Sequence, residues 1–324
     1  MVEAGGHDMR SLTALFLITF ISNPLLASED ISDQYPASTL YSKPVEVIPN
    51  VFSAIGATAP PGYDNSGHNN NLSFIVTTDG VVVINGGGAY SLAAALHDEI
   101  KAVTDQPVVL VINENGQGHA MLGNSYWIKQ DVPIVAHVDA AAAFRENGFQ
   151  SLQSMQRYNK EKAEGTSLVG PTHTFTDRYD ASRGDTKIEV LHLGPAHSPG
   201  DIQVWLPEQS LVIAGDIAFH ERLLPIFPDT VTSTWIETWE TAFEPLGATY
   251  VIPGHGHPTN MAQVRRYTHD YLVYLREKIA VHLDNGGTLD DAYYVDQSPY
   301  ALLDTFEELA TRNAGYVYTE MEFE

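Results

Sequence analysis

Four short segments carry the side chains best suited to holding a metal ion. His197 lies in GPAHSPGD, Asp216 in IAGD and His255 in VIPGHGHP, each just past an apolar run and inside a glycine-containing turn. A strand feeding a tight turn holds a side chain rigidly at one edge of a sheet, where metal and catalytic sites are built. The fourth segment, NENGQGHAMLGN (residues 113–124), follows the apolar run 108–112 and contains His119. The chain has no cysteine, which excludes disulfides, thiolate nucleophiles and thiolate ligands. An ion must then be held by His, Asp, Glu or amide oxygens. That favours zinc, or a comparable transition metal, if several histidines converge.

The elements that must position these residues follow from the hydrophobic pattern. Residues 45–48 and 51–55 read as a short strand pair. The turn-rich stretch PPGYDNSGHNNN (60–71) predicts a mobile loop. Runs 72–77 and 81–84 flank Thr78-Asp79-Gly80, a hairpin signal. A helix is expected over 89–103, a buried strand over 108–112, a helix over 122–129, a strand over 133–136 and a helix over 140–163. Strands are then expected at 172–175, 187–193, 202–206 and 211–214, a helix at 234–243, and a strand at 250–252. Helices at 260–283 and 300–313 form a C-terminal extension. The order, β-rich, then βαβα, then β-rich, then αβ, predicts an α/β protein with an αββα sandwich, rather than one doubly wound sheet.

The motif set resembles the metallo-β-lactamase-fold hydrolases over roughly residues 45–258. GPAHSPGD is similar to that family's third-histidine segment, IAGD to its bridging-aspartate segment and VIPGHG to its last-histidine segment. The tail RNAGYVYTEMEFE resembles the end of many long members, and the flanks resemble exported quinoprotein-relay-type zinc metallohydrolases. In the family, the strand matching 108–112 runs into Thr-His-x-His-x-Asp-His, followed by glycine and asparagine. Laid on that pattern, Asn115 and Gln117 fall on the first two histidines, His119 on the aspartate and Ala120 on the next histidine. Gly123 and Asn124 keep the frame. A shifted register, with His119 on the last histidine and Glu114, Gly116 and Gly118 at the other positions, fits the flanks less well. Asn85 in VVVINGG stands where the family has an aspartate.

The resemblance implies a fold, a metal centre and a hydrolytic reaction in which metal-activated water attacks an ester, lactone, thioester or amide. It also implies a variant centre, with one ion rather than two, held by some of His119, His197, Asp216 and His255; these would suit zinc in tetrahedral geometry, with iron also compatible. If all four bound at once, the site would be closed and structural, because catalysis needs a position open to water. The first site keeps only His197 beside two weakly ligating amides; the second keeps Asp216 and His255, with His119 in place of an aspartate. His119 and Asp216 are the candidate catalytic residues, His119 as a base because an imidazole titrates in the right range. Asn115, Gln117, His220, Arg222 and His68 are candidate substrate-binding residues, with His68 closing over a pocket. His257 is expected in the outer shell. His137, His173 and His192 are expected to be structural, His7, His97, His269 and His282 to be surface residues, and Trp205, Trp235 and Trp239 to be core. The degenerate motif keeps a second function open: a non-catalytic binding protein on the same fold, with weak or no metal binding.

Composition sets the remaining bounds. A chain of 324 residues with 44% hydrophobic and 10% aromatic residues supports a real core. A formal net charge of −24 repels phosphate backbones, so the expected partner is a small molecule and not nucleic acid. Near the N-terminus, Met9-Arg10 precedes SLTALFLITFISNPLLAS. This reads as a signal peptide over 1–28 with cleavage near Ala27 or Ser28, with translation starting at Met1 or Met9. A linker over 29–44, a domain over 45–259 and a helical extension over 260–324 would follow. The protein is then exported, periplasmic or extracellular, with no stable membrane span after cleavage.

Overall fold

Apolar β-branched runs cut by turn residues make two sheets that pack face to face. The computed structural model describes Met1 and residues 34–324. The expected leader, its cleavage site, His7 and the start of the 29–44 segment lie outside the described residues. The first sheet is ordered β1 (Val45–Ile48), β2 (Val51–Ala54), β3 (Leu72–Thr77), β4 (Gly80–Ile84), β5 (Val108–Ile112), β6 (Ile134–His137) and β7 (His173–Phe175). Pairing is antiparallel from β1 to β4 and parallel from β4 to β7. The second sheet is ordered β12 (Tyr250–His255), β11 (Leu211–Phe219), β10 (Gln203–Leu206), β9 (Glu189–Leu191) and β8 (Arg178–Asp180). Here only β11 and β12 run parallel.

Strand alternation divides the apolar residues into layers. In β4, Val82 and Ile84 enter the core between the sheets, while Val81 and Val83 face the opposite way. That outer face is covered by α1 (Tyr90–Val103), α2 (Gly118–Met121), α3 (Asn124–Trp127) and α4 (Val138–Asn159). In β11, Leu211 and Ile213 face the other sheet, and Val212 and Ala214 face outward. There they meet α5 (Thr232–Thr238), α6 (Met261–Tyr267), α7 (His269–Asp284), α8 (Leu289–Ala292) and α9 (Phe306–Met321). Strands buried on both faces read as continuous apolar runs, which is why they are conspicuous in the sequence. The architecture is the αββα sandwich, and the helices after residue 260 share one core with β11 and β12.

Several local expectations are corrected. Residues 65–71 are buried rather than a mobile loop, because their asparagines hydrogen-bond to neighbouring backbone. The segment before β1 is packed down: Leu40 is buried, and Tyr41 N–H donates to His68 Nδ1 at 2.8 Å. Helix begins at Gly118, before 122, because Asn113 and Asn124 brace the turn. Asn113 Nδ2 donates to the Ala120 carbonyl at 2.8 Å, and Asn124 Nδ2 donates to Asn113 Oδ1 at 2.9 Å. β11 runs on to Phe219, past a register shift around Gly215, because its ladder with β12 resumes there. β8 is an added, charged edge strand, a composition that hides strands from pattern reading. The last helix spans Phe306–Met321 rather than 300–313. His269 is buried, not a surface residue, with Nε2 2.9 Å from Glu240 and Nδ1 3.0 Å from Asp270. Trp235 and Trp239 are core, whereas Trp205 is half-buried.

Candidate metal centre

The strand ends of both sheets converge on one buried cluster. β11 carries Asp216, β12 ends at His255, and the turn after β5 leads into α2 with His119. One ligand atom from each of these three residues lies within 4.8 Å of the other two. His119 Nε2 is 3.4 Å from Asp216 Oδ2, and His255 Nε2 is 3.3 Å from Asp216 Oδ1. Ligand atoms about 2.0–2.1 Å from a tetrahedral ion stand roughly 3.3–3.4 Å apart, so the spacing fits a shared ion.

Orphaned polar atoms make the same point. His119 Nε2 and Asp216 Oδ1 are buried and make no hydrogen bond among the described residues. Such groups are costly unless something compensates them. His255 Nδ1–H donates to the Asn69 carbonyl. This fixes the tautomer and leaves the Nε2 lone pair facing Asp216, as in metal-ligating histidines. Two imidazoles and a carboxylate suit a first-row divalent ion. The residues present therefore fit a metal.

The electrostatics follow from crowding. Burial alone would raise Asp216, but His119, His255 and His197 hold its carboxyl far below the usual range. Burial pulls His119 down, and the Asp216 and Glu114 carboxylates more than offset this and leave it raised. Burial pushes His255 down to about 4, despite Asp216. His255 thus favours the neutral form that ligation needs.

The other sequence candidates fall in different places. His197 Nε2 is 3.8 Å from Asp216 Oδ2, outside the tight trio, with its ring among Phe219, Phe227 and Trp235. Asn115 Nδ2 donates to Asp216 Oδ2 at 3.0 Å, and its Oδ1 accepts from Gln117 N–H at 3.0 Å. The amide is held with its donor end toward the site. Gln117 is half-buried at the start of α2. Arg222 is buried behind His255, with a guanidinium nitrogen 3.4 Å from Nδ1. The His220 ring lies edge-on to Tyr267 of α6, with Nδ1 2.9 Å from the His257 carbonyl. His257 in turn pairs with Glu221 at 2.6 Å. His137 and His192 stack on each other at 4.0 Å.

His68 is corrected outright. It is fully buried and cannot close over a substrate pocket, because its Nδ1 is taken by the Tyr41 N–H. Burial pushes its pKa down to about 4. The folded state thus holds His68 neutral while the unfolded chain takes up a proton near 6.5, so stability is lost as pH falls from about 6.5 to about 4. Between pH 7 and pH 5 this single group is expected to cost about 2 kcal/mol. Urea unfolding of the ion-free protein checks this: His68→Gln should lose about 2 kcal/mol less than the parent over that interval. Equal losses would contradict the assignment.

Sequence reasoning set Glu114 aside with the shifted register and missed the asparagine run. Asn71 Nδ2 donates to the carbonyls of Pro253 and Gly256 at 2.9 and 2.7 Å, clamping the turn that carries His255. The signal available was a run of three asparagines just before an apolar strand, too polar for an idle loop.

Comparison with known proteins agrees with this geometry. Residues 119–256 match the family model of the metallo-beta-lactamase superfamily. A linear primary-alkylsulfatase from a Pseudomonas species is 27% identical over 142 residues, 40% of this chain and 26% of that protein. A metallo-beta-lactamase type 2 from Bacteroides fragilis is 25% identical over 193 residues, 56% of this chain and 70% of that one. An acyl-coenzyme A thioesterase from Bos taurus is 23% identical over 154 residues, covering 44% and 55%. The match thus spans about a quarter of the alkylsulfatase and about half of the thioesterase. Among solved structures, a metallo-beta-lactamase from Pontibacter korlensis superposes with a TM-score of 0.59 at 19% identity, over 71% of this chain and 98% of that one. Residues 119–256 thus match the metallo-beta-lactamase superfamily model, within an αββα sandwich shared with solved metallo-beta-lactamases.

Proposed function

We propose that the protein is a metal-dependent hydrolase that uses one divalent ion, held by His119, Asp216 and His255, to cleave an ester, lactone, thioester or amide in a small molecule. The observation that carries this reading is the clustered trio of donors, in which His119 Nε2 and Asp216 Oδ1 are buried without a hydrogen-bond partner among the described residues. Zinc suits the donors best, and iron is compatible with them. Such an ion, when bound, supplies Lewis acidity and an acidified water as nucleophile.

The chain's own residues fix the terms of that chemistry. The Asn69 carbonyl orients His255, and Asn71 holds its turn. Asn115 occupies Asp216 Oδ2 with a proton donor where a second ion would need a ligand, which supports a mononuclear centre. His119 Nε2 faces Asp216, so one nitrogen cannot both hold the ion and accept a proton; ligation is the role its position supports. The His119 side chain is 12% exposed against 1% for Asp216, so substrate reaches the centre from the α2 side. Relatives named as an alkylsulfatase, a beta-lactamase and a thioesterase support hydrolysis as the reaction type without choosing the bond. The acidic charge supports a small-molecule partner over nucleic acid, and the apolar stretch at 11–28 supports export.

A panel of chromogenic ester, lactone, thioester and β-lactam substrates tests the proposal. At least one should be cleaved, with the rate falling to that of buffer under a chelator and returning with one equivalent of ion. Fully loaded protein that cleaves none of them would favour a binding protein on the same fold.

A further inference from the structure

Glu114 is a buried carboxylate to which no role has yet been given. It sits two residues past the end of β5 and is 3% exposed. Its backbone is pinned between the sheets: the N–H donates to Asn85 Oδ1 at 3.1 Å, and the carbonyl accepts from Ile202 N–H at 2.9 Å. Its Oε1 makes no hydrogen bond and lies 3.3 Å from His119 Nε2, the same atom that stands 3.4 Å from Asp216 Oδ2. The 3.3 Å separation of Glu114 Oε1 from His119 Nε2 matches neighbouring ligand atoms on one ion.

The backbone beneath it is cut to fit. A Cβ on Gly215 would lie 2.2 Å from Glu114 Oε2, and Gly215 has a φ of +65°, so glycine is required there for both space and conformation. Charge gives a further argument. Glu114 and Asp216 are two buried carboxylates flanking one imidazole, and two buried anions repel strongly where water is excluded. A single divalent ion neutralises the pair.

We propose that Glu114 is a fourth protein ligand of the ion, making the centre one of two imidazoles and two carboxylates; this rests on the metal-dependent reading above, and the water of that reading would take a fifth position, because four protein ligands close a tetrahedral site. An oxygen-richer donor set binds harder ions such as manganese(II) and iron(II) better, relative to zinc, than three imidazoles and one carboxylate would.

Cobalt(II) titration of the ion-free protein, followed by its visible absorption, tests the assignment. The parent should take up one equivalent. Glu114→Gln, which keeps shape and removes charge, should bind cobalt about 1000-fold more weakly, beyond the roughly 10–100-fold loss seen for residues outside the ligand shell. Its absorption bands should also shift. Circular dichroism of the two ion-free proteins should coincide, and Glu114→Asp should restore part of the affinity. Unchanged affinity and bands in Glu114→Gln, with His255→Ala still abolishing uptake, would overturn the role of Glu114 and leave the metal centre standing. No uptake by the parent itself would overturn the metal-dependent reading, and the Glu114 proposal with it.

Discussion

His255→Ala is expected to empty the metal centre while leaving the fold in place. His255 supplies one of three clustered ligand atoms, its Nε2 standing 3.3 Å from Asp216 Oδ1. Its loss leaves His119 as the one imidazole beside the Asp216 and Glu114 carboxylates, a weaker set for a first-row transition metal. Ion affinity should fall more than about 100-fold, past the range for groups outside the ligand shell, and hydrolysis should fall to the rate of buffer. The ring also stacks on Phe219 at 5.0 Å, so the ion-free variant should lose about 2–3 kcal/mol as a large-to-small core change. His255→Asn, which keeps more of the volume, should lose the ion with less cost to folding. Equilibrium dialysis against zinc, with urea unfolding of both ion-free variants, separates the two effects. Retention of the ion in both variants would show that the site is wrongly placed.

Gly123→Ala is expected to have the largest effect on stability. Gly123 lies where the turn after α2 crosses the strand end at Gly86. A Cβ there would stand 1.9 Å from the Gly86 carbonyl oxygen and 2.9 Å from that of Gly87, both backbone atoms that cannot swing aside. The crossing is tied by Gly123 N–H to the Gly87 carbonyl at 2.6 Å and by Trp127 Nε1 to the Gly86 carbonyl at 3.1 Å. Forcing it apart disturbs those bonds and the packing of the fully buried Trp127. Overpacking and lost buried hydrogen bonds together predict a loss above about 4 kcal/mol. Gly170→Ala, which meets nothing within 4 Å, should change stability by less than about 0.5 kcal/mol. Urea unfolding of the two variants checks the contrast; a loss under about 1 kcal/mol for Gly123→Ala would contradict the packing described.

The sandwich is legible in the sequence because strands buried on both faces leave unbroken apolar runs, such as those of β4, β5 and β11. Elements whose residues are polar or charged are not legible in this way. β8 reads as loop, and α2 reads as turn until Asn113 and Asn124 are seen bracing it. The same holds at the site. His197, Asp216 and His255 stand out because each follows an apolar run within a glycine-containing segment. Glu114 does not: its importance depends on Gly215 and His119, distant in sequence, leaving it room and company. The register that places Asn115 on the first histidine leaves Glu114 without a part, yet the structure sets Asn115 against Asp216 and Glu114 against His119. Asn69 acts through its backbone carbonyl, which no residue pattern encodes. The Asn-rich run looks mobile by composition and is fixed by bonds to β12.

The most direct test of the account is the metal content of the protein, purified without chelators and measured by elemental analysis against protein concentration. A centre built on His119, Asp216 and His255, with Asn115 blocking a second position, predicts close to one equivalent of a transition metal. Two equivalents would contradict the mononuclear centre, and less than about a tenth of an equivalent, not restored by added zinc, manganese or iron, would contradict the metal centre itself.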